Sequence, residues 1–167
     1  MKKYLFILLL LVSAFLLSTC EKDDVCEAGT PTTPRMIIEF YDYTNSITKK
    51  PITDLAIYSP NTTNVLLFNA VSTIEIPLET TSDSVLFDFV LDSKNPIVSL
   101  QNLDKIKINY TRREVYISRA CGFKTLYTLN TNNGIELIAD SNNWIKEIII
   151  QQYNILNENE VHVKIFF

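Results

Sequence analysis

The sequence predicts an all-β fold, an antiparallel β-sandwich, and three observations carry that expectation. From Arg35 onward, apolar and polar residues alternate with a period of two in stretches rich in Val, Ile, Phe and Tyr. Polar clusters punctuate those stretches at Ser59-Pro60-Asn61, Asn132-Asn133-Gly134, Asp140-Ser141-Asn142-Asn143 and Asn157-Glu158-Asn159. No segment carries a helical stripe. With 47% hydrophobic and 20% charged residues in a chain of 167, there is enough apolar material for one ordinary domain with a real core.

The first element is not part of that fold. Lys2 and Lys3 precede an uncharged run, Tyr4 to Leu17, that ends in small residues and a cysteine, so residues 1–19 read as a signal peptide. The run is shorter than the roughly 20 apolar residues that a spanning helix needs. Its tail, Leu17-Ser18-Thr19-Cys20, resembles the bacterial lipobox, with Thr19 where Gly, Ala or Ser is usual. That resemblance implies that Cys20 becomes the lipidated first residue, a lipoprotein anchor of palmitate-like chains; an ordinary secretory signal that leaves Cys20 as a thiol is the alternative. Glu21-Lys22-Asp23-Asp24 follows, and Lys22, Asp23 and Asp24 look like the surface-export signal of Bacteroidota lipoproteins. Residues 20–34 then form a lipidated tether, because its acids and the Pro31 and Pro34 steps make a poor helix or central strand. With Cys20 assigned to lipid, Cys26 and Cys121 remain, and in an exported protein an even pair favours a disulfide over two free thiols.

Residues 35–167 are expected to form a single β-sandwich domain. Strands are expected over 36–43, 54–59, 64–69 and 72–78. In the next, Val85, Phe87, Phe89 and Leu91 share one face and Asp88 and Asp92 the other. Ile106, Ile108 and Tyr110 form a second inward set. Further strands fit 114–119, 123–129, 134–139 and the Ile-rich run from Trp144 to Tyr153. In the last, Val161, Val163, Ile165 and Phe167 point inward and His162 and Lys164 outward. Asn133-Gly134 is the sharpest turn signal, since both residues tolerate positive φ in a tight hairpin. The sandwich is expected to be Ig-like or transthyretin-like, with a small closed β-barrel as the alternative.

Charge narrows the partners. The formal net charge is −4, and loss of Lys2 and Lys3 with the leader leaves 13 basic against 19 acidic residues. Nucleic acid is disfavoured, because polyanion binding needs a clustered basic surface. The best local cluster, Arg112, Arg113 and Arg119, has Glu114 in its midst and reads as a solvated hairpin end.

Catalytic chemistry finds little to work with. The one histidine, His162, falls on the outward face of its strand, with no nucleophile or orienting partner to name. No multi-histidine metal site can be built, and zinc on two cysteines plus His162 loses to the disulfide in an oxidising compartment. The pairs Asp83/Asp88 and Glu75/Glu79 read as solubilising strand acids rather than a glycosidase pair. Asn130-Thr131-Asn132-Asn133-Gly134 lacks the carboxylates of a calcium loop. There is no phosphate loop and no nucleophile elbow. The expectation is therefore no catalytic residues, no metal and no cofactor.

Several stretches together resemble one uncharacterised family of small Bacteroidota lipoproteins, domain of unknown function 6452. They are Cys26-Glu27-Ala28-Gly29-Thr30-Pro31-Thr32-Thr33-Pro34-Arg35, Ile37-Ile38-Glu39-Phe40-Tyr41-Asp42, Tyr116-Ile117-Ser118-Arg119-Ala120-Cys121-Gly122-Phe123-Lys124, and Asn157-Glu158 before His162-Val163-Lys164-Ile165. The resemblance implies relatives without implying an activity, and it keeps Cys26 and Cys121 together. The functional expectation is a noncatalytic cell-envelope lipoprotein, lipid-anchored on the outer membrane and surface-exposed if the export signal is read, whose β-domain works through protein contacts as an accessory to an outer-membrane β-barrel. The alternative is a binding module for surface glycan or a small ligand, with Tyr41, Tyr43 and Tyr116, and beside them Tyr58 and Tyr127, as stacking surface.

Overall fold

A computed structural model of the chain describes residue 3, residues 25–60 and residues 63–167. Cys20, Lys22, Asp23 and Asp24 lie outside the described residues. The chain divides into two compact units, one of Pro31–Val115 with Lys124–Phe167 and one of Met1–Thr30 with Tyr116–Phe123.

The larger unit is a β-sandwich. Its strands are β1 (Met36–Tyr41), β2 (Leu55–Tyr58), β3 (Val65–Phe68), β4 (Thr73–Ile76), β5 (Ser84–Leu91), β6 (Asn102–Ser118), β7 (Gly122–Leu129), β8 (Ile135–Ile138), β9 (Glu147–Ile150), β10 (Asn154–Ile155) and β11 (Val163–Phe166), with the ends of β6 and β7 running into the smaller unit. One sheet has the order β4-β1-β11-β9, the other β10-β7-β6-β5-β2-β3 with β8 also on β6. Neither sheet closes on itself, so the barrel alternative falls. From Val25 on, helical structure among the described residues is one 3-10 turn, Val98–Leu100.

Alternation explains the core. Met36, Ile38 and Phe40 of β1 and Val163 and Ile165 of β11 face Val85, Phe87 and Phe89 of β5 and Ile106, Ile108 and Tyr110 of β6, all buried in one cluster. The inward sets expected on β5 and β6 are thus the ones that pack, and on the last strand Val163 and Ile165 do, with Phe167 partly buried against them. Burying such a side chain contributes about 1.5–3 kcal/mol, so these strands carry most of the drive to fold.

Four sequence expectations need correction. The sandwich is not wholly antiparallel: β1 and β11 pair in parallel, Ile38 opposite Val163 and Phe40 opposite Ile165. The stretches 105–110 and 114–119 are parts of one strand, β6, so Arg112 lies in mid-strand rather than at a hairpin end. Its guanidinium is occupied, with Nε donating to Asp83 at 2.6 Å. Asn133-Gly134 makes no tight hairpin, and neither residue has positive φ. β5 takes Asn102–Asn109 along one edge of β6, and the other edge receives β8. Residues 130–134 are an irregular step before β8, pinned by Asn109 N donating to Gly134 O and Asn130 N donating to Asn109 O. Finally, Trp144 to Tyr153 is not one strand. Only Glu147–Ile150 pairs, on β11, before the chain passes to the other sheet as β10.

Buried carboxylate chemistry fixes that last segment. Asp104 is fully buried and accepts hydrogen bonds from Trp144 N at 3.3 Å and Ile145 N at 2.8 Å. Burial pushes its carboxyl up, against the lowering effect of those donors. The signal was readable: Asp104 sits two residues before Ile106, on the inward face.

The smaller unit holds the turn between β6 and β7 and the segment from Val25 to Thr30. Cys26 and Cys121 are joined by a disulfide, with Cα atoms 4.9 Å apart. Gly122 closes the turn at φ +69°, a conformation that glycine adopts without the Cβ penalty of other residues.

Candidate functional site

His162 departs furthest from its expected place. It is fully buried, not exposed, because β11 begins at Val163 and the alternation does not extend back to it. Nδ1 accepts a hydrogen bond from Ile37 N at 2.9 Å, which puts the proton on Nε2, and Nε2 has no partner among the described residues. Its backbone carbonyl accepts from Gln151 N and Gln152 N. Burial lowers the imidazole pKa from its ordinary value, against the opposing pull of Glu160. With both remaining sulfurs in the disulfide, a zinc set of two cysteines and His162 is not assembled. Among the described residues, no group of three or more His, Cys, Asp and Glu could hold a metal ion.

Three of the four acids singled out from the sequence are taken up by cations. Glu75 pairs with Arg35 at 2.6 Å, Asp83 with Arg112 at 2.6 Å, and the buried Asp88 with Lys105 at 2.9 Å. Arg35 also clamps Glu158, Nε to Oε1 at 2.7 Å and Nη2 to Oε2 at 2.9 Å, while its backbone N donates to the same carboxylate. Those donors hold the Glu158 carboxyl down at about 2.

The tyrosines expected as stacking surface lie in different settings. Tyr41 is buried: its hydroxyl donates to Glu39 at 2.8 Å, its ring lies 5.5 Å from that of Phe166, and Lys164 sits over it at 5.0 Å. Glu39 is also bound by Lys49. Burial disfavours the charged form of Glu39, but the hydrogen bonds from Lys49 and Tyr41 outweigh it and the carboxyl pKa is lowered. Tyr127 is a core residue whose hydroxyl donates to Leu78 O at 3.1 Å. Tyr43 is exposed. Tyr116 is exposed in the smaller unit, edge-on to Phe123 with ring centroids 5.3 Å apart.

Two features of the larger unit can meet another molecule. The first is the edge of the seven-stranded sheet. β3 ends that sheet, and its four residues, Val65-Leu66-Leu67-Phe68, are all apolar. Leu66 and Phe68 pack on the core, which leaves Val65 and Leu67 52% and 69% exposed. The β4 edge of the other sheet turns Thr73 and Glu75 outward instead, the usual protection of an unpaired edge. The sequence did carry the signal, since a run of four apolar residues in a half-buried strand must leave two in water.

The second is a cleft of about 320 Å³ lined by Ile57, Tyr58, Leu66, Leu78, Val85 and Phe87, with Asn64, Glu79 and Thr80 also on its wall. The floor is apolar, and of the five tyrosines considered for stacking only Tyr58 reaches it.

A family model, described as Family of unknown function (DUF6452), matches residues 46–167. The stretches 116–124 and 157–165 fall inside that match, and residues 26–42 precede it. Neither the curated proteins nor the solved structures yield a match.

Proposed function

The chain belongs to the family of unknown function DUF6452, and on that premise we propose that it is a noncatalytic cell-envelope lipoprotein whose β-domain acts through protein contacts. In this reading a lipid on Cys20 holds it to the outer membrane, residues 20–34 tether it, and the domain serves as an accessory to an outer-membrane β-barrel. The disulfide supports an oxidising compartment. The observation that carries the contact role is the β3 edge, which no strand covers among the described residues and where Val65 and Leu67 face solvent. Such an edge invites strand addition by a partner, with main-chain hydrogen bonds for affinity and outward side chains for specificity.

The test is a photo-crosslinking residue placed at Leu67 in intact cells, with one at Glu75 on the guarded edge as control, followed by detergent extraction and mass spectrometry. Capture of an outer-membrane barrel from Leu67 and not from Glu75 is expected. Recovery of uncrosslinked protein from both positions would refute the accessory role. The same sample reports the mass of the N-terminal peptide, and an unmodified Cys20 would refute the anchor.

A second reading, a small-ligand module, draws on the cleft, whose volume is at the lower end of ligand pockets. Its apolar floor fits a hydrophobic ligand better than a glycan. Native mass spectrometry of protein taken from cells checks it: a bound small molecule that leaves on Phe87→Asp substitution is expected, and an empty protein counts against it.

A further inference from the structure

We infer that the smaller unit is a membrane-seating tip, which places Tyr116, Phe123 and Val25 in the headgroup layer of the bilayer that carries the anchor. The inference rests on the lipid-anchor reading above and adds to it a second point of membrane contact.

Exposure is the first observation. Val25, Tyr116 and Phe123 are 76%, 58% and 64% exposed, although the two rings touch. Two large aromatics left in water beside each other, on a unit this small, mark a surface that meets something apolar. A tyrosine with its hydroxyl free to stay wet, next to a phenylalanine, suits the boundary between headgroups and acyl chains.

Connectivity is the second. Along the chain, Phe123 lies 103 residues from Cys20. Through the disulfide it is reached in six steps to Cys26, one bridge with a Cα separation of 4.9 Å, and two steps from Cys121. The eight residues of that path span at most about 29 Å when fully extended, so with the bridge these aromatics are leashed to the lipid by a path about as long as the hydrocarbon core of a bilayer is thick. A short leash converts weak insertion of a few side chains into an intramolecular event at high effective concentration. The bilayer is therefore the nearest surface that the tip can meet, and the bridge has a reason to be on this turn.

The test uses Phe123→Trp. Trp144, the only native tryptophan, is buried and supplies a constant background. Lipidated F123W protein taken from cells is reconstituted in phosphatidylcholine vesicles with and without bromine on the acyl chains. The expected result is blue-shifted emission from the added tryptophan and about a two-fold loss of it in brominated vesicles, with the parent protein unchanged. Water-like emission with no quenching beyond the parent overturns the inference. So does quenching that is absent in vesicles while the same tryptophan is shielded in native envelope membranes, which would assign the tip to a protein partner.

A second sample separates this inference from the anchor itself. The mature chain is coupled through the Cys20 thiol to a maleimide lipid, Cys26 and Cys121 being bonded to each other. If the protein from cells carries no lipid but the coupled sample is quenched, the anchor reading fails and the tip retains its membrane affinity. If neither sample is quenched, the tip assignment fails whatever the state of Cys20.

Discussion

At the scale of single residues, the least expected finding is His162, and its burial makes stability depend on pH. The neutral imidazole accepts from Ile37 N, whereas protonation would turn that acceptor into a donor facing another donor. Its pKa in the folded chain lies below the ordinary value, so between that lowered value and about 6.5 the unfolded chain binds the extra proton. This contribution is complete above about pH 6.5 and declines as pH falls. A chemical-denaturation series is expected to show the loss beginning below that pH, and a flat series in the His162→Gln variant would assign it to this ring. His162→Ala, which removes the acceptor and leaves a cavity, is expected to cost about 2–4 kcal/mol. Glu158 acts over a lower window. Its carboxyl is held down at about 2, so its contribution is present above the ordinary glutamate value and is lost as pH falls from there toward 2. Arg35 and Glu158 are 49% and 33% exposed, and solvent screening limits the expected loss in Glu158→Gln to about 0.5–1 kcal/mol. A larger loss by thermal denaturation would mean that the clamp holds more of the structure than its own contacts.

At the scale of elements, two glycines separate two kinds of constraint. A Cβ at Gly134 would sit 2.5 Å from Asn130 O and 3.2 Å from Asn130 N, both backbone atoms, whereas one at Gly122 meets nothing within 4 Å but requires a left-handed backbone. Gly134→Ala is expected to cost about 1–3 kcal/mol, through displacement of the step between β7 and β8. Gly122→Ala is expected to cost about 1 kcal/mol, from conformation alone. Equal losses in urea titrations would contradict this distinction. Both glycines are visible in the sequence, and so is Asn133-Gly134 as a turn signal, yet its role was misread. A hairpin and an irregular step along one edge of β6 use the same residues, and only the long-range partner, Asn109, tells them apart. Strand interiors were legible because alternation is local: Val85, Phe87 and Phe89 could face only one way once Asp88 faced the other. The apolar edge at β3 belongs to this scale too. Leu67→Lys removes an exposed side chain, so unfolding free energy should change by less than about 0.5 kcal/mol. With the photo-crosslinking residue moved to Val65, the other exposed position of this edge, Leu67→Lys should abolish capture of the partner. Loss of stability instead would show that Leu67 serves the core.

At the scale of the whole molecule, what the sequence withheld was pairing across distance. That β1 lies parallel to β11 depends on contacts between residues more than 120 positions apart, and no local pattern encodes which strands share a sheet. The cysteines were the exception, since a small even number of thiols in an exported chain constrains a long-range contact by chemistry rather than by pattern. The resulting bridge joins residues 95 apart, a loop that contains β1 to β6. In the chain-entropy account, closing a loop of that length removes enough freedom from the unfolded chain to stabilise the fold by about 4–5 kcal/mol. Replacing both Cys26 and Cys121 by serine is therefore expected to lower the unfolding free energy by up to that amount. The native far-ultraviolet spectrum should be unaltered, because the core cluster from Met36 to Ile165 contains neither cysteine. Denaturant titrations of the oxidised protein and the double variant give the comparison. A difference below about 1 kcal/mol would mean that the segment around Cys26 comes away from the fold before the core unfolds, so that the bridge restrains the tether alone. A difference near the full value would mean that the bridged segment and the core unfold together, so that the bridge sets the stability of the whole fold.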